Sequence, residues 1–541
     1  MNSVYDTFSE SVGRFPEQPF LHIPARACAT YSDRAIDLSY RETAASVEKL
    51  KVAYHAAGYG IGHRVALLLQ NRPEFLQHWF ALNALGVSVV PVNDEMVAEE
   101  QAYIINHSEA ILLVYLPDLA PKLDPLLPLL ENPVACQSAT MTDSPASPPV
   151  PAEAAVPGLE TECALLYTSG STGKPKGCIL TNDYYLRSGR RYVEMGGLCP
   201  VEPSAERLIT PLPLVHMNAM ACSTVAMAMS GGCLIQLDRF HPRTWWQSVR
   251  ESRATIVHYL GVMPAMLLNM PPGDDDFSSQ VSFGFGAGVN PKHHAAFEAR
   301  FGFPLIEAWG MTETGNEGAI IANLEPRHVG TCCFGKTPDH LEIRLVDEQG
   351  QDVAEGEQGE LLVRRLGEDP RKGFFSGYLK NPAATAEAWE NGWFHTGDVV
   401  RRQQDGTLCF VDRRKNVIRR SGENISALEV EAALSEIPDI AMAVVCPVPD
   451  EVRGDEVMAC IIATPGAATD AAAAEAIVTR ALETLVYFKV PGYIGFYDEL
   501  PLTPSEKPKR AEIKALAAQS LQQGELHDTR HLKKRRREKS A

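Results

Sequence analysis

The stretch YTSGSTGKPKG, Tyr167–Gly177, concentrates three glycines, four hydroxyl side chains beyond the tyrosine and two lysines, with no acid. Glycines let a backbone turn tightly and present its N–H groups inward. Ser169, Ser171 and Thr172 add hydroxyl donors, and Lys174 and Lys176 add positive charge. These are the means of holding a phosphate. The short apolar run before it, Cys163–Tyr167 (CALLY), reads as a buried strand, so the stretch sits at a strand end. It is not a Walker A loop: two residues rather than four separate Gly170 from Gly173, and Pro175 follows Lys174 where Ser or Thr should meet magnesium. Nor is it a GxGxxG dinucleotide turn. A glycine- and serine-rich stretch alone is most often a flexible loop, so partners elsewhere in the chain must support the phosphate reading.

YTSGSTGKPKG resembles the signature loop of the adenylate-forming superfamily: acyl-CoA synthetases, nonribosomal-peptide adenylation domains and luciferases. The resemblance runs from about Leu38 to Leu516, with the motifs in the family's order. It implies that Thr168, Ser169, Gly170, Ser171, Thr172, Gly173, Lys174 and Lys176 hold ATP phosphates. Trp309–Thr314 (WGMTET) is similar to the family's aromatic-Gly-x-Thr-Glu element. That likeness implies Trp309 stacked on adenine, with Ala308, Gly310 and Met311 beside the nucleotide. It further implies Thr312 at the α-phosphate and Glu313, with Thr168, at Mg²⁺, a hard cation that takes carboxylate and phosphate oxygens. Trp309 departs from the family's usual Tyr and brings no phenolic hydroxyl. Thr396–Asp398 (TGD) resembles the ribose-binding element, with Asp398 to accept from the ribose hydroxyls. Asp412–Lys415 (DRRK) resembles the hinge motif, Arg413 matching the arginine at ribose or phosphate and Lys415 the hinge. Phe285–Val289 (FGAGV) resembles the glycine-rich segment beside adenine and acyl group, which brings in Gly286, Ala287 and Gly288. His216, in PLPLVHMN, matches a histidine near the carboxylate site.

Leu500–Arg510 (LPLTPSEKPKR) resembles the segment that carries the adenylation lysine, here Lys507, with Lys509 a competitor two positions on. Glu506 stands where the family usually has Gly, and Pro508 where an aliphatic is common. A cation is needed there because carboxylate and triphosphate repel each other as they meet. The implied reaction has two steps. A carboxylate attacks the α-phosphorus of Mg-ATP to give acyl-adenylate and pyrophosphate, and a thiol then displaces AMP. Between the steps the small domain turns about Lys415, which brings Ser421–Ser426 (SGENIS) to the site, with Ser421, Gly422 and Glu423 toward coenzyme A. The acyl pocket expected from the resemblance comprises His216, Met217, Asn218, Val262, Met263 and Phe285. Phe410–Ser426 and Ala308–Thr314 look especially similar to the carnitine/crotonobetaine–CoA ligase branch. Two alternatives stay open: a stand-alone adenylation enzyme that loads a separate carrier protein, and a non-catalytic nucleotide-binding homologue.

The elements that must position these residues follow from the pattern. Between about Leu38 and Tyr115, Arg41–Gly58 and Pro73–Leu85 read as helices, and Arg64–Leu69 and Val87–Val92 as buried strands. Such alternation predicts an α/β fold with mostly parallel sheets flanked by helices. Asn132–Pro157, rich in Pro, Ala and Ser, reads as loop. A second, smaller α+β unit is expected beyond the hinge motif. The predicted organisation is a large domain over 1–413, a small mobile domain over 414–523 and a basic, disordered tail over 524–541. The 541 residues exceed one ordinary core. A formal net charge of −18 argues against nucleic acid as a partner. The exception is the run KKRRREK (Lys533–Lys539), of a kind that elsewhere binds nucleic acid or anionic lipid, read here as a solvated terminus. Twelve cysteines without a CxxC pair, and an N-terminus with neither basic nor apolar run, predict reduced thiols and a cytoplasmic location. No apolar window is long enough to span a bilayer. The expected partners are a carboxylic acid, ATP, Mg²⁺ and coenzyme A, with a homodimer left open.

Overall fold

Uninterrupted apolar runs make the central strands. In Arg64–Leu68 every residue after the arginine is buried, and in Ser88–Pro91 all four are. A strand covered on both faces has no polar side to show. The helices between them are punctuated by their ends. Ser39 and Glu42 form a reciprocal capping box at the start of Tyr40–Ala57, and Gly58 closes it at φ 97°. The protein is described from a computed structural model over residues 2–140, 144–168, 175–273, 276, 280–420, 423–450, 454–503 and 507–533. Ser169, Gly170, Ser171, Thr172, Gly173, Lys174, Ser421, Gly422 and Glu506 lie outside the described residues, as do the side chains of Lys415 and Glu423.

Two large sheets build the first unit. One has eight strands, parallel through its interior from Leu305–Trp309 to Pro19–Ile23. The other has seven, with Glu162–Thr168, Ser88–Pro91, Arg64–Leu68, Leu112–Tyr115 and Ala135–Ser138 parallel. Helices pack between and over them around one continuous apolar core. Beside these two mostly parallel sheets, a third is antiparallel throughout, formed by Leu341–Val346, Gln358–Arg365, Phe394–Arg402 and Leu408–Arg413. Ala135–Ser138, inside the stretch read as loop, adds an edge strand beside Leu112–Tyr115.

The large core ends at Leu408 and Phe410, and the next apolar clusters begin at Ile418. Beyond that point Gly454–Ala463 pairs with Ile440–Asp450 and Tyr493–Phe496. Val457, Ala459 and Ile461 face one cluster, whereas Met458 and Cys460 face the other. This two-residue alternation covers both faces of the sheet with helices, among them Ala427–Leu434 and Arg510–Gln523. The tail requires a correction. His527–Asp528 pairs with Tyr493–Ile494, Arg530–Leu532 forms a 3₁₀ turn, and Lys533 is 8 % exposed. Residues 524–533 are therefore folded onto the small unit. Glu456, fully buried, holds them: its Oε1 lies 2.5 Å from Lys533 Nζ and 2.7 Å from Arg420 Nε.

Candidate active site

The phosphate-loop stretch closes an antiparallel hairpin. Thr168 stands opposite Lys176 and Tyr167 opposite Gly177. Tyr103 Oη donates to the Pro175 carbonyl (3.0 Å), and Tyr167 pairs with His107 Nδ1 (2.8 Å), so both flanks of the loop are tied to the Ala98–Ser108 helix. The ammonium of Lys176 lies 4.7 Å from the ring centre of Tyr378, whose hydroxyl donates to Glu313 Oε1 (2.8 Å). Tyr378 reaches this place because Gly377–Tyr378 adds a short strand beside Lys176–Thr181. It thereby joins the phosphate loop to the carboxylate expected at the metal. Thr312, half-buried beside Glu313, gives its carbonyl to the Tyr184 hydroxyl (2.8 Å).

Trp309 ends a parallel strand, and its indole N–H donates to Asp398 Oδ2 (2.8 Å). The indole thus supplies a donor of its own at this position. Its ring lies against Phe334, centroids 6.1 Å apart. Asp398 is 2 % exposed and Arg413 Nε stands 2.7 Å from its Oδ1, off the line of a hydrogen bond, so that this buried oxygen has no aligned donor. Burial raises the Asp398 pKa, and Arg413 opposes the rise. An acceptor enclosed without a donor costs free energy unless a ligand satisfies it. A nucleotide's ribose hydroxyl fits this requirement.

The glycine-rich segment is held by a residue that carries no motif. Glu307 accepts from the Gly288 N–H (2.9 Å), the Val289 N–H (3.1 Å) and the Tyr259 hydroxyl (2.9 Å). A Cβ on Gly286 would lie 2.3 Å from the Tyr259 carbonyl, which explains the glycine. Ala287, Gly288 and Gly310 are exposed and Ala308 and Met311 half-buried, so the segment and the Trp309 turn line an open cleft. Of the expected acyl residues, His216, Met217, Asn218 and Val262 reach accessible surface and Phe285 lies just beneath. Met263 does not: it is 2 % exposed and its sulfur accepts from Leu260 N–H, because its side chain turns into the core.

Lys507 is exposed, and the Thr503 N–H donates to its carbonyl (2.7 Å). Arg510 anchors the helix that follows to Glu431 of the small unit (2.6 Å). The charge of Lys507 acts on His216. Although solvent reaches His216, protein surrounds it, and this burial together with the Lys507 charge pushes its pKa down to about 4. The imidazole is neutral at pH 7. Lys509 instead pairs with Glu512 (3.3 Å). At the junction, Arg414 is held by Glu360 (2.6 Å). Asp412 accepts from Ser426 Oγ (2.9 Å) and Leu428 N–H (3.1 Å), so that a carboxylate before the hinge position caps the first small-unit helix after it. Tyr378, Glu307, Glu360, Glu431 and Arg510 were not marked by the sequence. Arg510 closes one recognised motif and Glu307 directly precedes another, but none of the five shows a spacing that signals its partner.

A buried carboxylate beside an indole and a cationic hairpin can receive a nucleotide. The chain belongs to the AMP-binding enzyme family, in its CoA-ligase branch: the family model matches residues 8–379, and that of the AMP-binding enzyme C-terminal domain matches 429–507. It is similar to the sulfoacetate–CoA ligase of Cupriavidus necator, 31 % identical over 94 % of this chain and 98 % of the relative. It is likewise similar to the crotonobetaine/carnitine–CoA ligase of Escherichia coli, 29 % identical over 91 % and 96 %. The fold matches o-succinylbenzoate CoA synthetase from Bacillus subtilis, solved with its acyl-adenylate intermediate, at TM-score 0.80 and 22 % identity over 95 % of this chain and 98 % of that one. The same synthetase solved with ATP and magnesium matches at TM-score 0.77 and 22 % identity, over 94 % and 99 %. No helix among the described residues is long and apolar enough to cross a membrane.

Proposed function

We propose that this chain is an ATP-dependent acyl-CoA ligase that works in the cytoplasm on a carboxylic acid, ATP and coenzyme A. The observation that carries the reading is the Trp309–Asp398–Arg413 cradle, in which a buried carboxylate oxygen lacks an aligned donor. Asp398 and Arg413 take the ribose, and Trp309 both flanks adenine and aims the Asp398 carboxylate. The hairpin with Thr168 and Lys176 takes the β- and γ-phosphates, and Thr312 meets the α-phosphate. Glu313 is the carboxylate that would hold magnesium. Among the described residues no cluster of three His, Cys, Asp or Glu side chains forms a protein cage. Bound at Glu313, magnesium neutralises phosphate charge.

An oxygen of the substrate carboxylate attacks the α-phosphorus, and the bond to the bridging oxygen of the β-phosphate breaks, releasing pyrophosphate. Lys507 stabilises the negative charge shared between carboxylate and α-phosphate oxygens. Neutral His216 lies beside the carboxylate without adding a competing charge. In the second step the thiol sulfur of coenzyme A attacks the acyl carbon, its proton is lost, and AMP leaves with the oxygen that came from the acid. We assign 1–413 to the nucleotide domain and the residues beyond it to the mobile domain, with Lys415 as hinge and Ser421, Gly422 and Glu423 on the loop for coenzyme A. Pyrophosphate release should require both ATP and an acid. If no acid in a panel of short, long, aromatic and quaternary-ammonium carboxylates elicits it, the reading is wrong.

Trp309→Phe keeps a ring and removes the N–H. Hydrogen bonds to charged groups contribute about 1.5–3 kcal/mol, so the KM for ATP should rise roughly tenfold or more, with the KM for the acid unchanged. An unchanged KM for ATP would show that the indole does not position Asp398.

A further inference from the structure

We propose that the floor of the acyl pocket is a closed, neutral, hydrogen-bond-donating surface, and that the acid is therefore short and carries an uncharged oxygen acceptor at its far end. This deepens the ligase reading and rests on it. Directly after His216 and Met217, the π-helical turn Asn218–Val225 runs beneath the cleft. Behind it His258, fully buried on the Ile256–Leu260 strand, bonds three side chains at once. Tyr192 Oη lies 2.7 Å from its Nε2, while Ser223 Oγ (2.9 Å) and Asn218 Oδ1 (3.0 Å) both meet its Nδ1.

These bonds form one set in which every group is satisfied. Ser223 Oγ donates to the Asn218 carbonyl (3.3 Å), which leaves it an acceptor toward His258. Nδ1 then carries the proton and Nε2 accepts from Tyr192, as a neutral imidazole allows. Burial pushes the His258 pKa down to about 3, in keeping with that form. With its oxygen held inward by Nδ1–H, the amide of Asn218 turns its NH₂ away from His258. Asn218 is half-buried, so the accessible part of its side chain is this donor end. The network brings no cation, so a neutral oxygen is the matching acceptor. An anion would lose its hydration without a countercharge.

The floor is also shut. Tyr192, His258 and Phe285 pack mutually, with centroids 5.3 Å (Tyr192–His258), 5.0 Å (Tyr192–Phe285) and 5.3 Å (His258–Phe285) apart. His258 and Phe285 are paired directly across adjacent parallel strands, which fixes two members of the triangle to the sheet. An acyl chain that continued past Asn218 would have to displace all three rings.

Acid-dependent pyrophosphate release is to be compared for pentanoate, 4-oxopentanoate, pentanedioate and decanoate. We expect kcat/KM for 4-oxopentanoate to exceed those for pentanoate and pentanedioate by about tenfold or more, the worth of one matched hydrogen bond, and decanoate to be inactive. In Asn218→Leu the preference for 4-oxopentanoate over pentanoate should disappear. Pentanoate or pentanedioate used as well as the oxo acid, an unchanged preference in Asn218→Leu, or good activity with decanoate overturns the pocket while leaving the ligase reading intact. No release with any acid, in this set or the broader panel, overturns both. The wild-type comparison needs no variant to fold.

Discussion

Lys507→Ala is expected to slow acyl-adenylate formation by about a hundredfold to a thousandfold, the cost of removing one preorganised charge from a developing anion. Thioester formation from supplied acyl-adenylate should change only a few fold. The split follows from where the lysine sits. Its charge acts on His216, and it is carried by the small unit, anchored through Arg510 and Glu431. If that unit turns between half-reactions, Lys507 serves the first and leaves before the second. Lys509, engaged with Glu512, should tolerate alanine with little effect on either step. Equal loss in both half-reactions for Lys507→Ala, or a larger loss for Lys509→Ala, would refute the assignment. Pre-steady-state pyrophosphate release and single-turnover thioester formation provide the two rates.

The second large effect is on stability. Glu456 lies between two enclosed cations, with the Arg420 and Lys533 side chains 3 % and 1 % exposed. Glu456→Gln removes the charge that compensates both. Breaking a buried ion pair on one side costs about 3–5 kcal/mol. We expect the small domain to lose that much in denaturant unfolding, with residues 524–533 becoming protease-sensitive. A loss below about 1 kcal/mol would show that the cations find other compensation. The pH dependence has a definite sign. Burial alone would raise the Glu456 pKa, but Arg420 and Lys533 outweigh it and hold the group below its ordinary value. Its stabilising contribution is therefore present above the unfolded-state pKa and is lost as pH falls through the folded one. Because Arg420 directly precedes Ser421–Gly422, the same variant should also raise the KM for coenzyme A more than that for ATP.

The buried strands were legible because their apolar runs are continuous, as in Arg64–Leu68 and Ser88–Pro91. Residues within motifs could be proposed from the sequence because chemistry constrains both type and spacing, as at Trp309–Glu313 and Asp398. What escaped were contacts that only the fold creates. Trp309 and Asp398 are 89 positions apart, and Tyr378 and Glu313 are 65 apart. Glu307 reads as an ordinary strand residue until Gly288 and Val289 return to meet its carboxylate. The folded terminal segment was missed because the two-residue strand His527–Asp528 is too short to show a period and because Lys533 opens a run of charge. Its place is decided by Glu456, 77 positions earlier. Met263 was misplaced for a related reason: helix Val262–Leu268 is seven residues long, too short for its buried face to be read from sequence.

In the proposed reaction the acid's own oxygen becomes bonded to the α-phosphorus of ATP before the thiol attacks. The direct measurement is turnover of an acid labelled with ¹⁸O in both carboxylate positions, in the presence of ATP, magnesium and coenzyme A, followed by mass spectrometry of the products. One ¹⁸O per turnover should appear in AMP and none in pyrophosphate. Label-free AMP, or ¹⁸O in inorganic phosphate with ADP as the co-product, would contradict the account.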